Sequence, residues 1–295
     1  MFASIDELQT ALAEHSYVAD RPLTTAIFLA LKLNKPLLLE GEAGVGKTEI
    51  AKTLSSMLGR DLIRLQCYEG LDVNTTIYEW NYARQMLQIR MLEASGKAQD
   101  DTALSNIFGP EFLIKRPLLQ AIEASTEKPP ILLIDELDRA DEEFEAFLLE
   151  LLSDWQISIP ELGTIRAAQP PTVIITSNRT REVHDALKRR CLFYWVDYPS
   201  LEKELAIVKT RLPHASERLS QQVVAFVQEL RNLDLYKLPG VAETIDWATA
   251  LAALEQTELS VDMVEDTLGA ILKYQDDIAQ VKGSTVRALL AKVTA

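Results

Sequence analysis

Short runs of consecutive apolar residues alternate along the first part of the chain with stretches whose apolar residues recur at helical spacing. Five runs read as strands: Leu37–Leu39, Leu62–Gln66, Ile131–Ile134, Val173–Thr176 and Leu192–Val196. They are largely continuous rather than alternating, the pattern of strands covered by helices on both faces. After the first run, Ile50, Ala51, Leu54, Met57 and Leu58 fall on one helical face, and Gly59 stops that helix. Phe144, Phe147, Leu148 and Leu151 mark a second helix in the same way. Trp155, Ile157 and Ile159 then alternate ahead of Pro160-Glu161-Leu162-Gly163, which predicts a β-hairpin insert near 155–167. Beyond Asp197-Tyr198-Pro199-Ser200 the pattern is helical, with starts expected near Ser200, Ser220, Glu243 and Ser260. The expected architecture is an α/β domain over 1–198, built on a parallel sheet, and a small all-helical domain over 199–295.

Composition narrows the function. The 295 residues carry 44 acidic and 30 basic side chains, a formal charge of −14. That average field repels a nucleic-acid backbone, although a local basic patch could still bind one. The two cysteines, Cys67 and Cys191, and three histidines, His15, His184 and His214, show no metal-ligand spacing, which disfavours structural zinc. The N-terminal residues Met1 to Glu7 lack a basic start and a signal-type apolar core, and apolar stretches such as Ala26–Leu31 are too short to span a bilayer. The expectation is a soluble cytoplasmic protein with reduced thiols and no transmembrane segment, with a peripheral membrane partner left open.

Four segments carry candidate chemistry. Gly41-Glu42-Ala43-Gly44-Val45-Gly46-Lys47-Thr48 fits G-x-x-x-x-G-K-[ST] between an expected strand and an expected helix. In that setting the glycines let backbone N–H groups face phosphates, Lys47 reaches the β- and γ-phosphates, and Thr48 ligates Mg²⁺. Ile131 to Ile134 ends in Asp135-Glu136, the Walker B pattern. Asp135 suits the Mg²⁺ shell, and Glu136 suits the orientation of an attacking water. The same pair could simply open a helix, where carboxylates are favoured; the P-loop upstream supports the catalytic reading. Asn178, at the end of the fourth run, suits a group that reaches the γ-phosphate or the water, or else a turn. Lys188-Arg189-Arg190, before the fifth run, suits either a solvated helix end or an arginine finger for a neighbouring subunit.

Together these segments resemble AAA+ ATPases: Walker A, Walker B with Asp135-Glu136, a strand-end Asn178, Ala186-Leu187-x-x-Arg190, then a helical lid. Within them the chain resembles the MoxR group, through Ile134 to Ala140 and the hairpin. It is similar to CoxD-type members in Leu65 to Asp72, Tyr78 to Arg84, Ile159 to Ile165 and Gly240 to Trp247. The resemblance implies a sheet order of 5-1-4-3-2, ATP and Mg²⁺ as cofactors, Asn178 as sensor 1, and Arg190 as the finger with Arg189 as fallback. It also implies a homo-oligomeric ring, usually hexameric, and a partner with a von Willebrand A-type domain. The implied role is an ATP-driven chaperone maturing the metal site of a client enzyme, such as a molybdenum-containing carbon monoxide dehydrogenase. One departure stands out: Glu243 occupies the place where the family often has a sensor 2 arginine.

Two other functions share this engine. A nucleic-acid motor or loader is opposed by the acidity and by the lack of a recognisable DNA-binding module. A non-hydrolysing nucleotide-switched scaffold is opposed by the intact Asp135-Glu136 pair. The interval between the Walker motifs is longer than one strand and one helix need, and it holds Tyr68, Tyr78, Trp80 and Tyr82. These aromatics are either packing residues or a surface that grips the client.

Overall fold

The computed structural model describes residues 2–94, 106–123 and 128–294. The chain forms two compact units, one of Thr25–Glu40 and Ala51–Tyr194, the other of Met1–Thr24, Gly41–Ile50 and Trp195–Ala295. Among the described residues no helix is long and apolar enough to cross a membrane.

The expected strands are present as β1 (Leu37–Gly41), β2 (Leu62–Gln66), β5 (Ile131–Asp135), β8 (Thr172–Ser177) and β9 (Leu192–Val196). They form one parallel sheet in the order β2-β5-β8-β1-β9, the expected 5-1-4-3-2 arrangement in core-strand numbering. Leu37 pairs with Ile174, Leu133 with Ile174, and Arg64 with Leu133, so β1, β8, β5 and β2 run in step. β1 and β5 are buried at every position, as their continuous apolar runs require. The helix Lys47–Leu58 buries Ile50, Ala51 and Leu54 and ends at Gly59, whose φ is +58°.

The helix Glu142–Asp154 begins at Asp141, whose carboxylate accepts the Phe144 amide at 2.9 Å. Glu142, Glu143 and Glu145 then lie in its first turn, where the helix dipole favours negative charge. Phe144, Leu148 and Leu151 are buried in the core beneath the sheet, with Phe147 packed at its edge. The expected hairpin follows as β6 (Gln156–Ile159) and β7 (Gly163–Arg166), with Ile159 opposite Gly163.

A second small sheet was not legible in the sequence. β3 (Tyr78–Trp80) pairs antiparallel with β4 (Leu113–Lys115), placing Trp80 opposite Leu113. Each strand has three residues, too few for a period to show. Trp80 is 8% exposed and meets Tyr78 and Phe108 edge-on at 5.9 and 5.5 Å. Tyr68 and Tyr82 are exposed instead, so the four aromatics divide into packing and surface residues. The helix Tyr82–Ala94 buries Gln85, whose amide donates to the Ile107 carbonyl at 2.7 Å, while Met86, Leu87 and Met91 face out.

The C-terminal helices start at Ser200, Ser216, Gly240 and Ser260. Two expected starts are thereby corrected. Ser216, not Ser220, caps the helix Glu217–Leu230; Ser220 lies one turn inside and donates its hydroxyl back to the Ser216 carbonyl at 3.1 Å. Glu243 is the third residue of the helix Val241–Ala253, and its carboxylate accepts the Gly240 amide at 3.0 Å.

Three of these helices are tied by one buried ion pair. Glu204, fully buried, takes Arg231 on both oxygens at 2.6 and 2.7 Å, with Thr244 and Gln228 each donating at 2.7 Å. Arg231 also donates to the Pro239 carbonyl at 2.8 Å and lies 4.8 Å from the Tyr198 ring centroid. Removing one partner strands a buried charge, so Glu204→Gln is expected to cost about 3–5 kcal/mol in chemical denaturation. Trp80→Ala is expected to cost about 3–5 kcal/mol, whereas Tyr68→Ala and Tyr82→Ala leave the melting temperature near that of the parent protein.

Candidate functional site

β1, β8 and β5 present their carboxyl ends at one edge of the sheet, with Glu40 paired to Ser177 and Ile134 paired to Ile175. Open α/β sheets bind ligands at that edge, where the strand order reverses. Three of the four candidate segments, those beginning at Gly41, Asp135 and Asn178, continue directly from these strand ends.

The Gly41–Thr48 loop leaves β1 and enters the helix Lys47–Leu58. Lys47 is 6% exposed, and its ammonium donates to the Gly41 and Glu42 carbonyls at 2.7 and 2.6 Å. Gly44 has φ +78°, a conformation open to glycine at little cost. Its carbonyl accepts the Ala242 amide at 3.0 Å. A Cβ on Gly240 would stand 2.8 Å from the Ala43 carbonyl oxygen and 2.9 Å from Gly44 Cα, so only glycine allows this approach. Within their unit, the loop and the start of the helix Val241–Ala253 are therefore in backbone contact. Glu243 accepts the Gly240 amide on its carboxylate. Tyr198 belongs to the same unit; burial first, then the charges of Glu42 and Glu243, push its phenol above the ordinary range against the opposing pull of Arg231.

Asp135 and Glu136, adjacent in sequence, are held differently. Asp135 is 3% exposed and accepts the Thr176 hydroxyl on Oδ1 at 2.5 Å and Arg64 on Oδ2. Glu136 has φ +56° and ψ +50°, a left-handed backbone that costs a side-chain-bearing residue about 1–2 kcal/mol. Its amide donates to Thr176 Oγ1 at 3.0 Å, and its carboxylate meets Arg139 at 3.2 Å. The turn breaks the strand direction, so Asp135 stays in the core while the Glu136 side chain is 36% exposed.

Asn178 is half-buried just beyond β8, and its amide donates to Asp138 Oδ1 at 3.0 Å. Asp138 also takes the Thr180 amide and hydroxyl at 2.9 and 2.6 Å. Burial alone would raise the Asp138 carboxyl, but the hydrogen bonds from Thr180 and Asn178 outweigh it and hold the group below the ordinary carboxylate range. Glu145, buried, binds Arg181 and the His184 amide, which steadies the same stretch. Burial first, then the carboxylates of Asp135, Asp138, Glu136 and Glu145, push the Cys67 thiol up to about 12.

Arg190 and Arg189 are exposed at the end of the helix Asp185–Arg190, which Leu187 anchors in the core. Arg190 Nε donates to Ser153 Oγ at 2.9 Å. Lys188 lies 3.5 Å from the buried Glu40 carboxylate on β1. Sequence reasoning missed Arg64, Thr176, Asp138 and Glu145. Only Arg64 left a trace, as a charge inside the otherwise apolar run Leu62–Leu65.

The chain is 26% identical over 209 residues to an uncharacterized protein of Staphylococcus epidermidis, covering 68% of this chain and 70% of the relative. It is likewise 26% identical over 208 residues to an uncharacterized protein of Staphylococcus aureus, with 68% and 70% covered. A RuvB variant from Thermotoga maritima shares the fold with a TM-score of 0.51 at 16% identity, over 99% of this chain and 84% of that one. The profile of the AAA domain (dynein-related subfamily) matches residues 36–191. That match opens one residue before β1 and closes one residue before β9. It takes in the glycine loop, the β5 carboxylates, the segment after β8 and the helix Asp185–Arg190, and with more than half of the chain matched, this protein belongs to the AAA domain family, dynein-related subfamily.

Proposed function

We propose that the chain is an ATP-hydrolysing AAA+ enzyme of the MoxR type, using Mg²⁺-ATP turnover to remodel a client protein. The observation that carries this reading is the unequal treatment of Asp135 and Glu136. One carboxylate is buried at the strand end, oriented by the Thr176 hydroxyl and balanced by the Arg64 guanidinium. The next is turned outward by a strained backbone, at the cost expected of a functional position. In the proposed assignment Gly41 to Thr48 cradle the phosphates and Lys47 neutralises their charge. Thr48 and Asp135 fit Mg²⁺ because they offer hard oxygen donors. Bound Mg²⁺ would neutralise charge on the phosphate oxygens. Glu136 orients and polarises the attacking water, and Asn178 holds the γ-phosphate or the water. Residues 1–198 are then the nucleotide-binding domain and 199–295 its lid.

Arg190 acts as the finger on a neighbouring subunit in a ring, proposed to be hexameric. Its exposure, with its Nε donating to Ser153 Oγ, supports a role outside its own core. The segments similar to CoxD-type proteins support a narrower role, maturing the metal site of a molybdenum-containing dehydrogenase alongside a von Willebrand A-type partner. Tyr82, Met86, Leu87 and Met91 offer an apolar surface suited to gripping such a client. Recovery of that enzyme with a hydrolysis-dead variant, and its dependence on this chain for metal loading, test the narrower role.

Lys47→Ala is expected to abolish nucleotide binding, while Glu136→Gln keeps binding and stops turnover, because Lys47 acts on the ground state and Glu136 only as water attacks. Equilibrium binding and steady-state ATPase assays check this; near-normal turnover by Glu136→Gln removes it from the reaction. Mixing Arg190→Ala with Glu136→Gln protein is expected to restore part of the activity, since some interfaces pair an intact Glu136 with an intact Arg190. Mixtures that stay dead, or monomers that turn over at full rate, would rule out a finger acting between subunits.

A further inference from the structure

We infer that Arg64 is a positioning residue for the metal-holding carboxylate, a built-in counter-ion that competes with the divalent cation for Asp135. The inference rests on the reading of Asp135 as the Mg²⁺ ligand. Arg64 sits on β2 opposite Leu133, and its side chain reaches diagonally to Asp135 on the neighbouring strand. Both its Nε, at 3.0 Å, and its Nη2, at 2.5 Å, donate to the same oxygen, Oδ2. The other oxygen, Oδ1, is held by Thr176. The two oxygens thus have separate duties: Thr176 fixes the carboxylate to β8, and Arg64 occupies the atom that remains.

This pairing has a reason apart from catalysis. A carboxylate at 3% exposure needs a neighbouring positive charge, and Arg64 supplies it. A guanidinium stays charged at any working pH, so it vacates Oδ2 only by moving. The geometry permits that movement. The Arg64 side chain is 50% exposed, and its Nη2 already donates to Gln66 Oε1 at 2.5 Å. Gln66 stands directly opposite Asp135 in the β2–β5 register. An arginine displaced from Asp135 can therefore keep its bond to Gln66 and turn toward solvent. Two cations do not share one oxygen comfortably, so Mg²⁺ binding and the Arg64 pair oppose each other. The consequence is a raised Mg²⁺ requirement, with Asp135 kept compensated whenever the cation is absent.

The test is the Mg²⁺ dependence of equilibrium binding of a fluorescent methylanthraniloyl-ADP, which needs no turnover, measured for the parent protein, Arg64→Ala, Arg64→Lys and Asp135→Asn. Melting temperatures are recorded without nucleotide, in the absence and presence of Mg²⁺. Arg64→Ala is expected to lower the Mg²⁺ midpoint by about tenfold, within the usual range of coupling between two sites. It should also melt earlier than the parent in Mg²⁺-free buffer and recover on adding the cation. Arg64→Lys keeps the charge without the fork and should fall between the two. A midpoint that is unchanged or higher in both Arg64 variants, while Asp135→Asn disturbs it strongly, overturns the role of Arg64 alone. If Asp135→Asn leaves the midpoint where it was, the reading of Asp135 as the ligand fails, and this inference fails with it.

Discussion

A carboxylate buried at the end of a parallel strand is the constraint around which the site is arranged. Asp135 lies at the foot of β5 with almost no exposure, where an uncompensated charge would be strongly unfavourable. Compensation comes from the strands on either side, a hydroxyl from β8 and a guanidinium from β2. Thr176 serves twice, because the oxygen that donates to Asp135 also accepts the Glu136 amide. That second bond helps hold Glu136 in its left-handed turn. The position of the exposed carboxylate thus depends on the satisfaction of the buried one.

The same economy holds across the carboxyl edge of the sheet. Asp138 collects the amides that follow β8, and Glu145 collects the next stretch through Arg181 and the His184 amide. Loop backbone in this region is therefore ordered by buried acids rather than by secondary structure. The density of negative charge is visible in Cys67, whose thiol it helps to push far from reactivity.

The helical unit uses an analogous device. Glu204 and Arg231 are both buried, and their bonds reach three helices at once. Such a pair contributes less to net stability than its geometry suggests, since both charges were desolvated to form it. Its effect is on arrangement, because few alternative packings would satisfy all of these donors and acceptors. The helix Val241–Ala253 held by this network is the one whose start touches the glycine loop through Gly240 and Ala242. That contact also accounts for Glu243, which caps its own helix at a place where the AAA+ resemblance leads one to look for arginine.

The features legible in the sequence were those written in short-range pattern. Continuous apolar runs located the five core strands to within a residue or two, the glycine loop stood between its strand and helix, and alternation with a turn marked β6 and β7. The glycine loop and the Asp135-Glu136 pair could be picked out because each occupies a fixed offset from a strand end. What only the tertiary structure decided depends on pairings between distant positions. Arg64 and Asp135 are 71 residues apart, and a lone arginine in a strand does not announce its acceptor. Ser216 and Ser220 are both followed by helical sequence; burial of Leu219 and Val223 selects the earlier cap. β3 and β4 are too short for periodicity and exist through each other. The chain also divides discontinuously, with its first 24 residues and the glycine loop joined to the C-terminal helices. Hydrophobic period is set by local backbone geometry and survives in one dimension, whereas charge compensation and close backbone approach exist only once the chain has folded.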